Sequence, residues 1–143
     1  MAKMDQFFAE MGGLIGKTIR KPKRIYFDVD KNNLTQVVEY LFNRMHCRLS
    51  TATATETYHN LEVLYHFSHD ASGDYYCPRV LITDKQKPAI PSITPIVRGA
   101  EWIEREMFDF WGIEFIGHPN LIRLLARDHP QGLDKPLRFR RDK

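Results

Sequence analysis

Ile96, Ala100, Ile103, Met107, Phe110 and Trp111 recur at intervals that only an α-helix can gather on one side. At about 100° per residue they fill one arc of roughly 100°, the width of a stripe that faces a core. The other side carries Arg98, Glu101, Arg105 and Asp109, with Glu101/Arg105 and Arg105/Asp109 both at the i,i+4 spacing where opposite charges meet. Trp102 and Phe108 edge this charged stripe rather than the core arc. Thr94 is the expected N-cap, Pro95 the expected first helical residue and Gly112 the expected stop. Such a helix, apolar on one side and aromatic-edged on the other, is suited to packing on both.

The preceding chain supplies one of those two layers. Met4 to Met11 reads as a short helix with Phe7, Phe8 and Met11 on one face, stopped at Gly12-Gly13. A basic segment follows (Lys17, Arg20, Lys21, Lys23, Arg24), and Arg24 to Val29 alternates weakly as a strand. Asp30 caps a second helix, in which Leu34, Val37, Val38, Leu41, Phe42 and Met45 share one face. Three strands are expected over 48–57, 61–68 and 79–83, with turns at Tyr58-His59-Asn60 and at Asp70 to Asp74, which gives an antiparallel meander. Asp84 to Ile93 reads as a loop broken by Pro88 and Pro91. After Gly112, Ile113 to Ile116 is a short extended piece and Leu121 to Leu125 one further helical turn. From Ala126 periodicity fails and Pro130, Gly132 and Pro136 recur. The fold class is therefore α+β: a two-layer domain over 1–125, with a mainly antiparallel sheet packed by helices, and an extended C-terminal tail over 126–143. A length of 143 residues suffices for one such core.

Several chemistries that the residues invite lack their geometry. Gly12 to Thr18 nearly spells a phosphate-binding loop, but Met11 stands where that loop needs glycine and a helical stretch precedes it. His66 and His69 are three apart on a strand and point to opposite faces, so no shared metal is expected. Cys47 and Cys77 lack a C-x-x-C spacing and read as buried reduced thiols. Glu104 and Glu106 project about 200° apart on a helix and cannot share a proton. No catalytic, cofactor or metal site is expected. No apolar run reaches the ~20 residues of a membrane span, and the start lacks a signal-peptide hydrophobic region, so the chain is expected to stay in the cytoplasm. Net charge is only +3, yet Arg123 to Lys143 carries seven basic and three acidic residues, a surface suited to an acidic partner. A free-standing basic nucleic-acid-binding module is the outside alternative, although no nucleic-acid signature accompanies the charges.

At Glu104-Arg105-Glu106-Met107-Phe108-Asp109, followed by Gly112-Ile113, Phe115, Gly117-His118-Pro119, Leu121 and Arg123, the sequence resembles the 30-kDa subunit family of respiratory complex I. That family includes the equivalent subunit of energy-converting membrane-bound hydrogenases. The likeness extends through Ser92 to Pro95, Ala100-Glu101-Trp102 and, in the tail, Gly132 and Pro136-Leu137-Arg138, while Ile122 replaces a basic residue common in the family. The resemblance implies a non-catalytic peripheral-arm subunit, without a cofactor of its own, in a membrane-bound redox complex that couples electron transfer to ion translocation. Its partners would be a large catalytic subunit forming the quinone or nickel–iron site and a small iron–sulfur subunit, with no nucleic acid. The subunit would lie on the cytoplasmic side of the membrane, held there by those partners in a hetero-oligomer. The residues implied in docking are Glu101, Trp102, Glu104, Arg105, Glu106, Phe108, Asp109, Gly112, Gly117, His118, Pro119, Arg123 and Arg138. In this reading Arg105, between Glu101 and Asp109, fixes the helix face, and the tail runs over the large subunit. The shortness of the chain leans toward a hydrogenase-type complex, with NADH:quinone oxidoreductase as the alternative.

Overall fold

The structure, a computed structural model, describes residues 2–123 and 135–138. Helix α1 (Ala2–Met11) ends at Gly12-Gly13 and leads into β1 (Ile15–Lys21) and β2 (Arg24–Val29). Asp30 accepts the Asn32 N–H and opens a turn into α2 (Leu34–Glu39), which widens into a π turn over Tyr40–Arg44. Then come β3 (Arg48–Glu56), β4 (Leu61–His69), β5 (Asp74–Ile82), β6 (Ala89–Pro91), α3 (Glu101–Trp111) and β7 (Glu114–Ile116).

The five-stranded sheet has the order β1-β2-β5-β4-β3. All its pairs are antiparallel except β2 with β5. That parallel pair needs a long crossover, which α2 and the β3–β4 hairpin provide. Alternation sorts the strands into two faces. Ile25, Phe27, Leu61, Val63, Tyr65, Phe67, Tyr76 and Val80 are buried beneath the helices. Phe7 of α1 lies against Phe27 and Tyr76, and Tyr40, which follows α2, lies against Phe7. The opposite face carries Tyr26, Asp28, Glu62, Leu64 and Arg79, all partly exposed. There the Arg79 guanidinium bridges Asp28 at 2.7 Å and Glu62 at 3.4 Å.

The expected α+β class, the Arg24–Val29 strand and the meander are all present. Five expectations change. Ile15–Lys21 is a strand: its charges mask the alternation because β1 is a sheet edge that buries little. β5 begins at Asp74, five residues before its expected start, because Tyr75 to Cys77 pair with β2 and extend the strand past the meander. The proline-broken loop contains β6, which pairs in parallel with β7 and tolerates Pro91 at its end. Helix α3 begins at Glu101 after turns over 94–100, so Thr94 is not its N-cap and Pro95 not its first residue. Residues 121–123 form no helical turn, and the expected boundary at 125/126 lies outside the described residues.

Candidate functional site

Helix α3 is the centre of a buried polar system. Glu104 is fully buried, and an ionised carboxylate there needs donors for about four lone-pair sites. Oε1 accepts from the Ser92 hydroxyl at 2.5 Å and the Thr94 hydroxyl at 2.8 Å. Oε2 accepts from the Ile93 N–H at 2.9 Å and the Tyr65 hydroxyl at 3.2 Å. Ser92 in turn accepts the Thr94 N–H. Four donors from β4 and the 92–94 segment thus converge on one side chain of α3. Burial, with Glu104 beside it, pushes the Tyr65 phenol well above its ordinary range, so it remains a donor. The Thr94 hydroxyl expected to cap the helix is committed instead to this carboxylate.

The Gly-His-Pro corner packs onto the same point. Gly117 turns the chain with φ +87°, a left-handed conformation that glycine adopts without strain. The buried His118 ring then lies 4.0 Å from Glu104 Oε1. Its Nδ1 accepts the Asn120 N–H at 3.0 Å, which leaves Nε2 as the N–H directed at the Glu101 carbonyl, 3.1 Å away. One ring therefore ties α3 to the corner that follows β7.

The charged stripe of α3 is used differently from the i,i+4 ladder that its spacing suggests. Arg105 donates to the carbonyls of Ile122 at 3.0 Å and Arg123 at 3.3 Å, and its guanidinium lies 4.8 Å from the centre of the Trp102 ring. Buried Asp109 accepts from Arg123 at 2.8 Å. The expected Glu101–Arg105–Asp109 pairing is thus replaced by two clamps on 122–123, one gripping backbone and the other a side chain. The reason is geometric: the chain returns across this helix face and brings two carbonyls within reach of the guanidinium.

The C-terminal end of α3 is closed by the tail. Gly112 takes φ +76° and its N–H reaches the Phe108 carbonyl. Leu137 N–H donates to the Phe110 carbonyl, and the Arg138 guanidinium donates to the carbonyls of Trp111 and Lys85. Arg138 also meets the buried Glu56 at 3.2 Å, opposite Lys85 at 2.8 Å. These contacts satisfy carbonyls that a helix leaves open at its C-terminus and set positive charge at the negative end of its dipole. Residues 135–138 of the expected partner-docking tail therefore sit on the chain's own domain; the rest of the expected tail lies outside the described residues.

The thirteen motif residues divide by exposure. Glu104, Arg105 and Asp109 are buried, and His118, Arg123 and Arg138 are largely enclosed. Phe108, expected beside the charged stripe, packs against the core. Trp102 remains 61 % exposed, and Glu106, Gly117 and Pro119 also face outward. Exposed Ile122 lies beside the Arg105 clamp. Sequence reasoning missed Tyr65, Ser92, Thr94, Glu56 and Lys85 as members of this system. Their partners lie 10 to 82 residues away, and no local spacing signals them. His66 and His69 are separate, with His66 beside Cys77 and His69 beside Ser72. No described helix is long and apolar enough to cross a membrane.

The same segment matches known proteins. A family model described as the respiratory-chain NADH dehydrogenase 30 Kd subunit matches residues 27–142. An NADH-quinone oxidoreductase subunit of Ruegeria pomeroyi is 37 % identical over 119 residues, covering 76 % of this chain and 58 % of that protein. An NADH-quinone oxidoreductase subunit of Bacteroides thetaiotaomicron is 39 % identical over 75 residues, covering 52 % of this chain and 14 % of its own length. The chain thus spans only part of these relatives. A solved structure of an archaeal respiratory membrane complex, the membrane-bound sulfane sulfur reductase, contains a chain with the same fold (TM-score 0.76, 21 % identity), covering 93 % of this chain and 80 % of that one.

Proposed function

Because the chain belongs to the family of the respiratory-chain NADH dehydrogenase 30 Kd subunit, we propose that it is a non-catalytic docking subunit of a complex-I-related membrane-bound redox complex. Its task is to hold a large catalytic subunit, together with a small iron–sulfur subunit, in the peripheral arm on the cytoplasmic side. Quinone or nickel–iron chemistry and the iron–sulfur clusters belong to those partners. One observation carries this reading. The motif's buried charges are all engaged inside the chain, holding α3 and the corner rigid, while Trp102 is left 61 % exposed with Arg105 stacked on its ring. A tryptophan stacked by an arginine whose guanidinium also holds the carbonyl of exposed Ile122 has the character of an interface anchor rather than of a reaction site. The names of the relatives favour an NADH–quinone oxidoreductase over the hydrogenase type. Pull-down of the tagged chain from detergent-solubilised membranes tests the proposal. The large and small subunits should be recovered with it; recovery of the chain alone, from the soluble fraction, overturns it.

A further inference from the structure

The β1–β2 hairpin concentrates positive charge that the rest of the chain does not neutralise. Lys17, Arg20, Lys21, Lys23 and Arg24 stand between residues 17 and 24 with no acidic residue among them, a local +5 against +3 for the whole chain. Glu10, Asp28, Glu56, Glu62, Asp70, Glu104 and Asp109 all have a cationic partner within 4 Å, yet none of those partners is one of these five. Three of the five rest on aromatic rings instead. Arg20 lies 4.4 Å from the centre of the Phe8 ring, on the α1 side of the sheet. Arg24 lies 4.6 Å from that of Tyr75 and Lys21 6.0 Å from that of Tyr26, both on the opposite face. Lys23 donates to the Ser72 carbonyl at 2.9 Å. A charged edge strand discourages other strands from pairing, but that task needs neither five cations nor rings to orient them. All five precede residue 27, the first that the family model matches, so they add to the shared motif.

We infer that this hairpin docks an acidic, extended segment of a partner subunit, laid along the β1 edge. Successive side chains of an extended chain point to opposite sides, and the cations are disposed in the same way, with Arg20 on one face of the sheet and Lys21 and Arg24 on the other. Carboxylates of one segment therefore reach both sets. Cations already held on rings lose little freedom when a carboxylate arrives, which lowers the entropic cost of binding. The charge that repels most strands selects an acidic one. Single-stranded nucleic acid suits the hairpin less, because the ring faces on which bases would stack are occupied by the cations themselves. A membrane surface also suits it less, because a plane meets only one face of the ribbon and part of its charge. The inference rests on the docking function proposed above and gives it a second surface, separate from Trp102.

Zero-length cross-linking tests it, with a carbodiimide that joins lysine amines to carboxylates in contact, applied to the complex captured from solubilised membranes. Mass spectrometry should find Lys17 or Lys21 joined to an aspartate or glutamate of another subunit. A second measurement combines Lys17→Glu with Lys21→Glu, which replaces two exposed cations by anions. The melting temperature of the isolated chain should not change, and partner recovery at low salt should fall at least about tenfold. A recovered complex in which neither lysine is joined to another subunit overturns the inference and leaves the docking function standing, as does native recovery by the folded variant. Failure to recover any complex removes both. Binding of the isolated chain to vesicles containing phosphatidylglycerol, or to single-stranded DNA, that is lost in the variant assigns the hairpin to that polyanion and likewise overturns the inference.

Discussion

Replacing Glu104 with alanine would leave the Ser92 and Thr94 hydroxyls, the Ile93 N–H and the Tyr65 hydroxyl without their acceptor in a site closed to water. Each unsatisfied buried donor costs about 1–3 kcal/mol, less where a hydroxyl can turn elsewhere, so Glu104→Ala should lower stability by about 3–5 kcal/mol in urea unfolding. Glu104→Gln should cost less, about 1–2 kcal/mol, because the serine and threonine hydroxyls can turn to accept from the amide. The neighbouring Glu106 is exposed and its alanine variant should unfold within about 0.5 kcal/mol of the native chain. Helical spacing shows in the sequence that these two glutamates diverge, but not which of them is buried, and both are expected there as docking residues. The partners of Glu104 were not legible there, because Tyr65 is 39 positions away and arrives only through the sheet. The cysteines make a second prediction at this scale. Burial pushes the Cys47 thiol from 9.0 up to about 12 and the Cys77 thiol up to about 11. The folded chain therefore keeps these protons to higher pH than the unfolded chain does. Their stabilising contribution is full below pH 9 and is lost as pH rises through those folded values. The urea midpoint should fall between pH 9 and 11, and thiol reagents at pH 8 should label both cysteines only after unfolding.

At the scale of elements, α3 is the part most fully anticipated and most instructively misread. Within the helix its apolar arc is borne out at Met107, which is buried, and at Ile103 and Trp111, which pack against the core, while Phe110 is only half-buried; Ile96 and Ala100 also pack inward, but from the turns before the helix. The charge spacing of Glu101, Arg105 and Asp109 was equally visible, but spacing specifies only which pairs can meet. The chain returning at 122–123 supplies competing partners, two backbone carbonyls for Arg105 and the Arg123 guanidinium for Asp109. Arg105→Ala should therefore take a donor from two backbone carbonyls and loosen the corner, costing about 1–2 kcal/mol; if the side chain formed only a solvated ladder, the loss would be a few tenths. The β1 edge was missed for a related reason, since exposed lysines erase the alternation by which a strand is recognised. The C-terminal end of α3 makes a further prediction. Adding a Cβ to Gly112 strains a left-handed backbone and would come within 2.6 Å of the Lys135 side chain. Gly112→Ala should cost about 1–2 kcal/mol by thermal unfolding, from the backbone strain and the displacement of that side chain.

For the whole molecule, the structure divides labour between buried charge and exposed aromatic surface. Enclosed carboxylates, guanidiniums and one imidazole join segments distant in sequence: β4 to α3 through Glu104, the corner to α3 through His118 and Arg123, and 135–138 to β3 through Arg138 and Glu56. This rigid frame presents Trp102 outward. The two-layer architecture could be read from apolar periodicity, because that signal is local. The division between frame and surface could not, because it depends on which face of α3 the chain itself covers. The most direct test of the account is pull-down with Trp102→Ala beside native chain, each scored for its melting temperature alone and its recovery of the large subunit. The variant's melting temperature should stay within about 2 °C of native, as for an exposed side chain, and its recovery of the large subunit should fall at least about tenfold. Native recovery by a folded Trp102→Ala variant would contradict it.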